Sequence, residues 1–422
     1  MKNKKIAIIG LGYVGLPVAV LFASKYRVVG YDINSKRIDA LNNYIDDTNE
    51  ISSNKLKKAL NNNLILSANI DSVKDCNIYI ITVPTPINKD KTPDLSFLLD
   101  ATKAVGRVVS KGNIVIYEST VYPGCTEEKC VPVLENTSKL KYNFDFYCGY
   151  SPERINPGDK KHTIEKIIKV TSGSLPKIAD EVDKLYASVI KAGTFKAKSI
   201  KVAEAAKVIE KSQRDINIAF VNELSKIFSK MNIDTNEVLD AASTKWNFLN
   251  FRPGLVGGHC IGVDPYYIAD KSTSLGYKPE IILAGRELNN SMGDFVADEV
   301  MDLLKKNQES LKGLKVLVLG VTFKENCPDY RNTKVVDLIN RLKDNLLEVD
   351  IYDPWVDRKS FHEVYSLKVN NELPNKLYNA VILAVSHEMF KKIEFDKILI
   401  ASNSIIYDIK GFFYKESVTK RL

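Results

Sequence analysis

Residues 5–15 read Lys5-Ile6-Ala7-Ile8-Ile9-Gly10-Leu11-Gly12-Tyr13-Val14-Gly15, and this stretch decides the fold. Its first five residues have the apolar run of a buried strand, Lys5 to Ile9, and its last opens a helical pattern from Gly15 to Ser24. Between them stands G-x-G-x-x-G. A second strand, Arg27 to Tyr31, ends in Asp32, 17 residues after Gly15. Strand, glycine loop, helix, strand and acid at that spacing are the context a dinucleotide fingerprint requires. Gly10 permits the tight turn, Gly12 lets a pyrophosphate approach the backbone, and Gly15 lets the helix pack on the sheet. The helix N-terminus attracts the phosphate charge. Asp32 accepts hydrogen bonds from the ribose hydroxyls and disfavours a 2′-phosphate, so NAD is expected rather than NADP. Arg37, one helical turn further on, is placed to lie over the adenine.

The uncharged run 6–24 after Met1-Lys2-Asn3-Lys4-Lys5 also has the look of a signal peptide or anchor. Its ordered glycines, its proline, the lack of an A-x-A-like cleavage signal and its continuation into an acid-ended strand favour the buried βαβ reading.

Outward from this unit the alternation continues. Ile78 to Val83 and Asn113 to Tyr117 are apolar, β-rich runs, which together imply a parallel sheet covered on both faces. From Thr194 to Arg252 there is neither Gly nor Pro in 59 residues, so long helices are expected from about Ser199 to Met231. Alternation resumes near Leu314, with KVLVLGV, a helix around Thr333 to Leu346, EVDIYDP, AVILAV and SIIYDI. The fold class is α/β: an N-terminal Rossmann-type domain over 1–195, a helical domain over 196–300 and a C-terminal Rossmann-like domain over 301–422. The first strand of the last domain ends Leu319-Gly320-Val321-Thr322-Phe323-Lys324, with one glycine. That loop is expected to bind something other than a full dinucleotide, with Lys324 and Arg331 near phosphates. Apolar positions Ile216, Phe220, Leu224 and Phe228 suggest a stripe that pairs with a second subunit, giving a homodimer.

At 422 residues two or three domains are expected. The net charge of +8 is a mild excess that suits anionic small molecules at least as well as nucleic acid, and no Arg-rich tail is present. Six cysteines, at 76, 125, 130, 148, 260 and 327, include no C-x-x-C pair and read as reduced thiols in a cytoplasm. Cys125 and Cys130 lack a second ligand pair at zinc spacing, and no metal site is expected. In Gly257-Gly258-His259-Cys260-Ile261-Gly262-Val263-Asp264 the residues alone leave Cys260 three roles: nucleophile, metal ligand with His259, or apolar filler. Lys207, Lys211 and Arg214, at i, i+4 and i+7, make a cationic helix face that is ordinarily a solvated one.

Several separated motifs then point one way: G-x-G-Y-V-G at 10–15, V-P-T-P at 83–86, E-S-T at 118–120, S-P-E-R at 151–154, E-A-A-K at 204–207, G-G-H-C at 257–260 and F-K-E-N-C-P-D-Y-R at 323–331. In this order, over nearly the whole chain, they resemble the nucleotide-sugar 6-dehydrogenases of the UDP-glucose and GDP-mannose dehydrogenase superfamily. TKWNFLNFRPGLVGGHCIGVDPYY is similar to the members that oxidise UDP-N-acetylglucosamine or UDP-N-acetylgalactosamine. UDP-glucose enzymes usually carry a Lys before the Asp, where Val263 stands here.

The resemblance implies a cytoplasmic enzyme of surface polysaccharide (capsule) synthesis that oxidises a C6 hydroxyl to a carboxylate with two NAD and one water. It makes Cys260 the nucleophile of a thiohemiacetal and thioester. It puts Lys207 near the oxyanion, and Asp264 and Thr120 on a catalytic water. Glu153 becomes the general base for thioester hydrolysis. It adds Tyr13, Val14, Thr85, Thr120 and Arg331 to the cofactor site. Substrate contacts fall to Glu153, Arg154, Lys207, Lys211, Arg214, Asn217, Arg252, Gly257, His259, Phe323 and Lys324, with Phe323 and Lys324 on the UDP. Lys211 departs from the family's usual Asn and adds a charge near Lys207. UDP-glucose or UDP-N-acetylmannosamine as substrate, or a catalytically impaired sugar-nucleotide-binding protein, are the alternatives. A two-electron 3-hydroxyacid dehydrogenase also sets a Rossmann domain before a helical one, but it has no use for Cys260 or a third domain.

Overall fold

A computed structural model describes residues 4–154, 163–258 and 261–422. The chain divides into two compact units, one of residues 1–210 with 266–277, the other of 211–265 with 278–422.

The first unit is built on eight strands: β1 (Lys5–Ile9), β2 (Arg27–Tyr31), β3 (Leu64–Ser67), β4 (Ile78–Ile81), β5 (Ile114–Tyr117), β6 (Tyr147–Tyr150), β7 (Lys169–Gly173) and β8 (Thr194–Lys196). Their order is β3-β2-β1-β4-β5-β6-β7-β8, parallel throughout except between β6 and β7. β4 (IYII) and β5 (IVIY) are buried at every residue, as apolar runs in a doubly covered parallel sheet should be. The first two strands lie where the sequence places them; β4 stops at Ile81 because Thr82 and Val83 turn out towards the glycine loop. The uncharged run 6–24 is β1, that loop and the helix Gly15–Ala23, packed into the unit's apolar core. No helix among the described residues is long and apolar enough to cross a membrane.

The strand order reverses between β1 and β4. Ligands of open α/β sheets bind outside the carboxyl ends of the strands at such a switch point. Gly10 follows β1 there, Thr82 follows β4, and Glu118 follows β5.

The helix Ile200–Met231 is the uninterrupted one expected from a stretch without Gly or Pro. Its residues to Glu210 belong to the first unit and those from Lys211 to the second. In the second unit the helices Thr235–Ala242 and Glu280–Lys305 precede a five-stranded parallel sheet. Its strands are β9 (Lys315–Leu319), β10 (Glu348–Tyr352), β11 (Ala380–Leu383), β12 (Ile405–Asp408) and β13 (Lys420–Arg421), in the order β10-β9-β11-β12-β13. A core of Val296, Val300, Leu338, Ile339 and their neighbours lies on one face of this sheet. Of the four apolar positions expected to form a stripe, Phe220 is 54% exposed, while Ile216, Leu224 and Phe228 are half-buried. Ile227 and Met231 on the same helix are also exposed.

Candidate active site

The three glycines of the first loop meet three different requirements. Gly10 has φ +90°, a left-handed conformation that L side chains rarely adopt. A Cβ on Gly15 would stand 1.8 Å from the Gly10 carbonyl oxygen and 2.4 Å from Thr82 Oγ1, so only glycine lets the helix begin against this turn. A Cβ on Gly12 would meet nothing within 4 Å. That open space over bare backbone is the cradle a pyrophosphate needs, and the donor set around it fits NAD.

Asp32 Oδ2 accepts from Leu11 N at 2.8 Å, and Oδ1 accepts from Asn34 N at 2.9 Å, so the expected ribose partner also ties the loop to β2. Arg37 is built into the wall rather than left loose: Nε donates to the Leu11 carbonyl at 3.1 Å, and a terminal nitrogen pairs with Asp46 at 2.7 Å. Burial pushes the Asp46 carboxyl up, but hydrogen bonds from Thr48, the Ile51 N–H and Arg37 outweigh it and hold it below its ordinary value. Tyr13 and Val14 are half-buried on the loop. Thr85 Oγ1 donates to the Thr120 carbonyl at 2.7 Å, and Ser119 Oγ to the Val83 carbonyl at 2.6 Å. The loops after β4 and β5, which carry V-P-T-P and E-S-T, are thereby held as one surface beside the glycine loop. Ile33, 86% exposed next to Asp32, offers this surface an apolar patch that the sequence reading did not single out.

Behind it lies a buried cluster of charge. Glu153 follows β6, and its Oε2 lies 2.8 Å from Lys169 Nζ. The same ammonium is 2.7 Å from Glu118 Oε2, and Tyr186 donates its hydroxyl to Glu118 Oε1. Burial pushes the Glu118 carboxyl up to about 7 against the pull of Lys169. Burial acts on Glu153 too, but Lys169, the Arg154 N–H and Lys207 together hold it below its ordinary value. Lys169 is raised: burial opposes its charge and the two carboxylates more than offset that. Removing one partner from a buried pair typically costs about 3–5 kcal/mol, so these groups stand or fall together.

Lys207, 5% exposed, donates from Nζ to the Glu153 carbonyl oxygen at 2.7 Å. The E-A-A-K helix therefore turns this lysine into the protein, against the ordinary expectation of a solvated face. Glu204, one turn earlier, accepts from the N–H groups of Gly124 and Thr126, and burial pushes it up to about 7. Arg154 pairs with Glu210 on the same helix. Further along, Lys211 is half-buried and Arg214 exposed, while Asn217 Nδ2 donates to the Gln213 carbonyl at 2.7 Å.

In the second unit, His259 and Cys260 lie outside the described residues. The backbone leading to them is closely held. Asn222, fully buried, donates to the Gly254 carbonyl at 3.0 Å and accepts from its N–H at 2.8 Å. A Cβ on Gly257 would stand 2.6 Å from the Asn332 carbonyl oxygen, and one on Gly258 (φ +90°) 2.9 Å from the Phe323 ring. Asp264 begins the helix Asp264–Ser274 and is 3% exposed.

Phe323 and Lys324, on the loop after β9, line a small open cleft with Leu255, Gly257, Thr333 and Lys410. Gly257 of the first motif and Phe323, Lys324 and Glu325 of the second thus line one cleft. Arg252 pairs with Asp240, and the Arg331 guanidinium lies on Asp329 two residues before it. Asp353 repeats in this domain what Asp32 does in the first, accepting from Val321 N at 2.8 Å. His387, fully buried, lies 3.1 Å from Asp353 through Nε2 and accepts from Asn326 N through Nδ1 at 2.9 Å. The pair fixes the loop that carries Phe323 and Lys324.

Sequence reasoning quoted Glu118 within E-S-T without giving it a role, and it passed over Lys169, Tyr186, Asn222, Lys410 and His387. Lys169 alone left a local signal, a lysine inside the apolar run Ile167-Ile168-Lys169-Val170. Cys76, Cys125, Cys130 and Cys148 are buried free thiols, and Cys327 is buried and outside any disulfide.

Residues 4–190 match the NAD binding domain of the UDP-glucose/GDP-mannose dehydrogenase family, 201–291 its central domain and 317–415 its UDP binding domain. The chain is 53% identical to the UDP-N-acetyl-D-glucosamine 6-dehydrogenase of Pseudomonas aeruginosa over the full length of both. It is 51% identical to the Protein CapL of Staphylococcus aureus, covering all of this chain and 99% of that one. Among solved structures, a UDP-D-ManNAc dehydrogenase from Pyrococcus horikoshii superposes with a TM-score of 0.88 at 30% identity, covering 99% of this chain and 98% of the other.

Proposed function

The chain belongs to the UDP-glucose/GDP-mannose dehydrogenase family, and on that premise we propose that it oxidises C6 of UDP-N-acetylglucosamine to the uronic acid. The observation that carries the chemistry is the buried Lys207 ammonium on the Glu153 carbonyl, with the Glu153 carboxylate held ionised beside it. An oxyanion-stabilising cation and a base for water are the two groups that thioester hydrolysis needs. The choice of sugar rests on the relative that is 53% identical end to end, as against the 30% identity of the mannosamine enzyme.

Gly10, Gly12, Gly15, Asp32, Arg37, Thr85 and Thr120 hold NAD. Bound NAD supplies the hydride acceptor for both oxidations of C6. Phe323 and Lys324 hold the UDP. The Cys260 thiolate adds to the aldehyde carbon, forming a C–S bond, and the carbonyl oxygen takes up a proton. The second oxidation leaves a thioester. Water then adds to its carbonyl carbon and gives a proton to Glu153, and the C–S bond breaks with its electron pair on sulfur. Lys207 faces the charge that develops on oxygen, and Asp264 orients the water. The sum is one alcohol, two NAD and one water to one carboxylate, two NADH and three protons.

The division at 195 and 300 into NAD-binding, helical and UDP-sugar-binding domains belongs to the same reading. So does a homodimer formed on the helix that exposes Phe220, Ile227 and Met231. A uronic acid nucleotide is a building block for acidic surface polysaccharide, and free buried thiols suit the cytoplasm in which it would be made. A panel of UDP-sugars assayed for NADH formation tests the substrate. UDP-N-acetylglucosamine is expected to give the highest kcat/KM, with UDP-glucose at least about tenfold lower, since a pocket built to bond the acetamido group penalises its loss. Equal or faster turnover of UDP-glucose or UDP-N-acetylmannosamine overturns the substrate assignment.

A further inference from the structure

The chemistry proposed above asks Glu153 to take a proton from water, and it leaves unused three buried groups behind that carboxylate. Lys169 reaches from β7 to Glu153 at 2.8 Å and to Glu118 at 2.7 Å. Glu118 is anchored on its other oxygen by the Tyr186 hydroxyl, from the helix Pro176–Ala187. Glu118, Lys169 and Tyr186 are each no more than 2% exposed, and Glu153 is 6% exposed. One ammonium is thus divided between two carboxylates. Tyr186 fixes the orientation of the carboxylate remote from the water.

We propose that Lys169 is a positioning residue for the hydrolysis step, setting the orientation and basicity of Glu153, while Glu118 and Tyr186 hold the ammonium in place. The inference rests on the base role proposed for Glu153. Two other cationic residues described near Glu153 make different contacts. Lys207 donates to its carbonyl oxygen, the Arg154 N–H to its carboxylate, and the Arg154 guanidinium is committed to Glu210. Among the described residues, Lys169 forms an ion pair with the reacting carboxylate itself, and the Lys207 charge adds to its effect.

Removing the lysine charge makes Glu153 easier to protonate, so the acid limb of hydrolysis moves to higher pH. Burial pushes the Glu118 carboxyl up to about 7, so it is already protonated across that limb, and replacing it by the neutral glutamine leaves the limb in place. A merely structural role for Lys169 does not move the limb.

The test uses the full-length enzyme with NAD and UDP-N-acetylglucosamine, reading sugar acid released in quenched single turnovers across the acid and neutral range. Lys169→Met is expected to shift the limb up by about one to three pH units, as loss of an adjacent opposite charge does. Glu118→Gln is expected to leave the limb in place, and Lys169→Arg to keep most of the wild-type profile. An unmoved limb in folded Lys169→Met overturns the proposal. Should Lys169→Met not fold, Lys169→Gln, which removes the charge but keeps a hydrogen-bond donor, carries the test, and an unmoved limb there is the overturning result. Glu153→Gln separates the two readings. Undiminished hydrolysis there overturns the base role, whereas slow hydrolysis there with an unmoved limb in the lysine variants overturns only the role of Lys169.

Discussion

Cys260→Ser is expected to lower sustained NADH formation by at least about 10³-fold, the scale on which loss of a covalent nucleophile is felt. The thiol is a few per cent ionised near pH 7 even when unperturbed, whereas a serine hydroxyl is ionised hardly at all. The aldehyde formed at C6 then has no covalent holder, and the second oxidation stops. The substitution leaves intact the groups assigned to the ligands, Gly10, Gly12 and Asp32 for NAD and Phe323 and Lys324 for UDP. Titration of the variant with NAD and with UDP should therefore give wild-type affinities, which separates loss of chemistry from loss of binding. A variant that forms NADH at the wild-type rate removes the covalent mechanism.

Lys207→Met is expected to lower kcat by about 10²–10³-fold, the range found when one stabilising donor to a developing oxyanion is removed. Methionine keeps the length and apolar stem of the lysine, so the packing of a residue only 5% exposed is largely retained. What is lost is the charge, and with it the hydrogen bond to the Glu153 carbonyl oxygen at 2.7 Å. A fixed cation in a site closed to water acts more strongly on a developing oxyanion than a solvated one does. Steady-state kinetics should show the loss in kcat, with KM for the UDP-sugar changed by less than about tenfold. A change confined to KM assigns Lys207 to ground-state binding instead.

Much of the frame was legible because it follows from short-range chemistry. β1 and β2 are apolar runs bounded by Gly10 and Asp32, and each begins and ends where those residues imply. The helix Ile200–Met231 is long because nothing in that stretch breaks it. The three glycines could be given separate duties from spacing alone, and the contacts that a Cβ would meet at Gly10, Gly12 and Gly15 differ accordingly.

The buried charges behind the site were not legible in the same way. Glu118, Lys169 and Tyr186 come from three elements far apart in sequence, and only the sheet brings them together. A lone lysine in an apolar run has no local reason to be buried until two carboxylates are placed beside it. The Asn222 clamp on Gly254 and the His387–Asp353 pair are of the same kind, each joining segments more than 30 residues apart. Short strands such as β7 and β8 were missed because KVTSG and TFK are too polar and too short to carry a period. Lys207 shows the converse: a helix face that reads as solvated from i, i+4 spacing is buried at its first cation, half-buried at Lys211 and exposed at Arg214. Tertiary placement, not helical period, separates the three.

The central claim is a four-electron oxidation completed on one enzyme. It is tested most directly by the yield of NADH per UDP-sugar acid, with limiting UDP-N-acetylglucosamine and excess NAD. Two NADH for each acid formed, with no free aldehyde, is the result predicted. One NADH for each sugar consumed, or an aldehyde as the product, would contradict it.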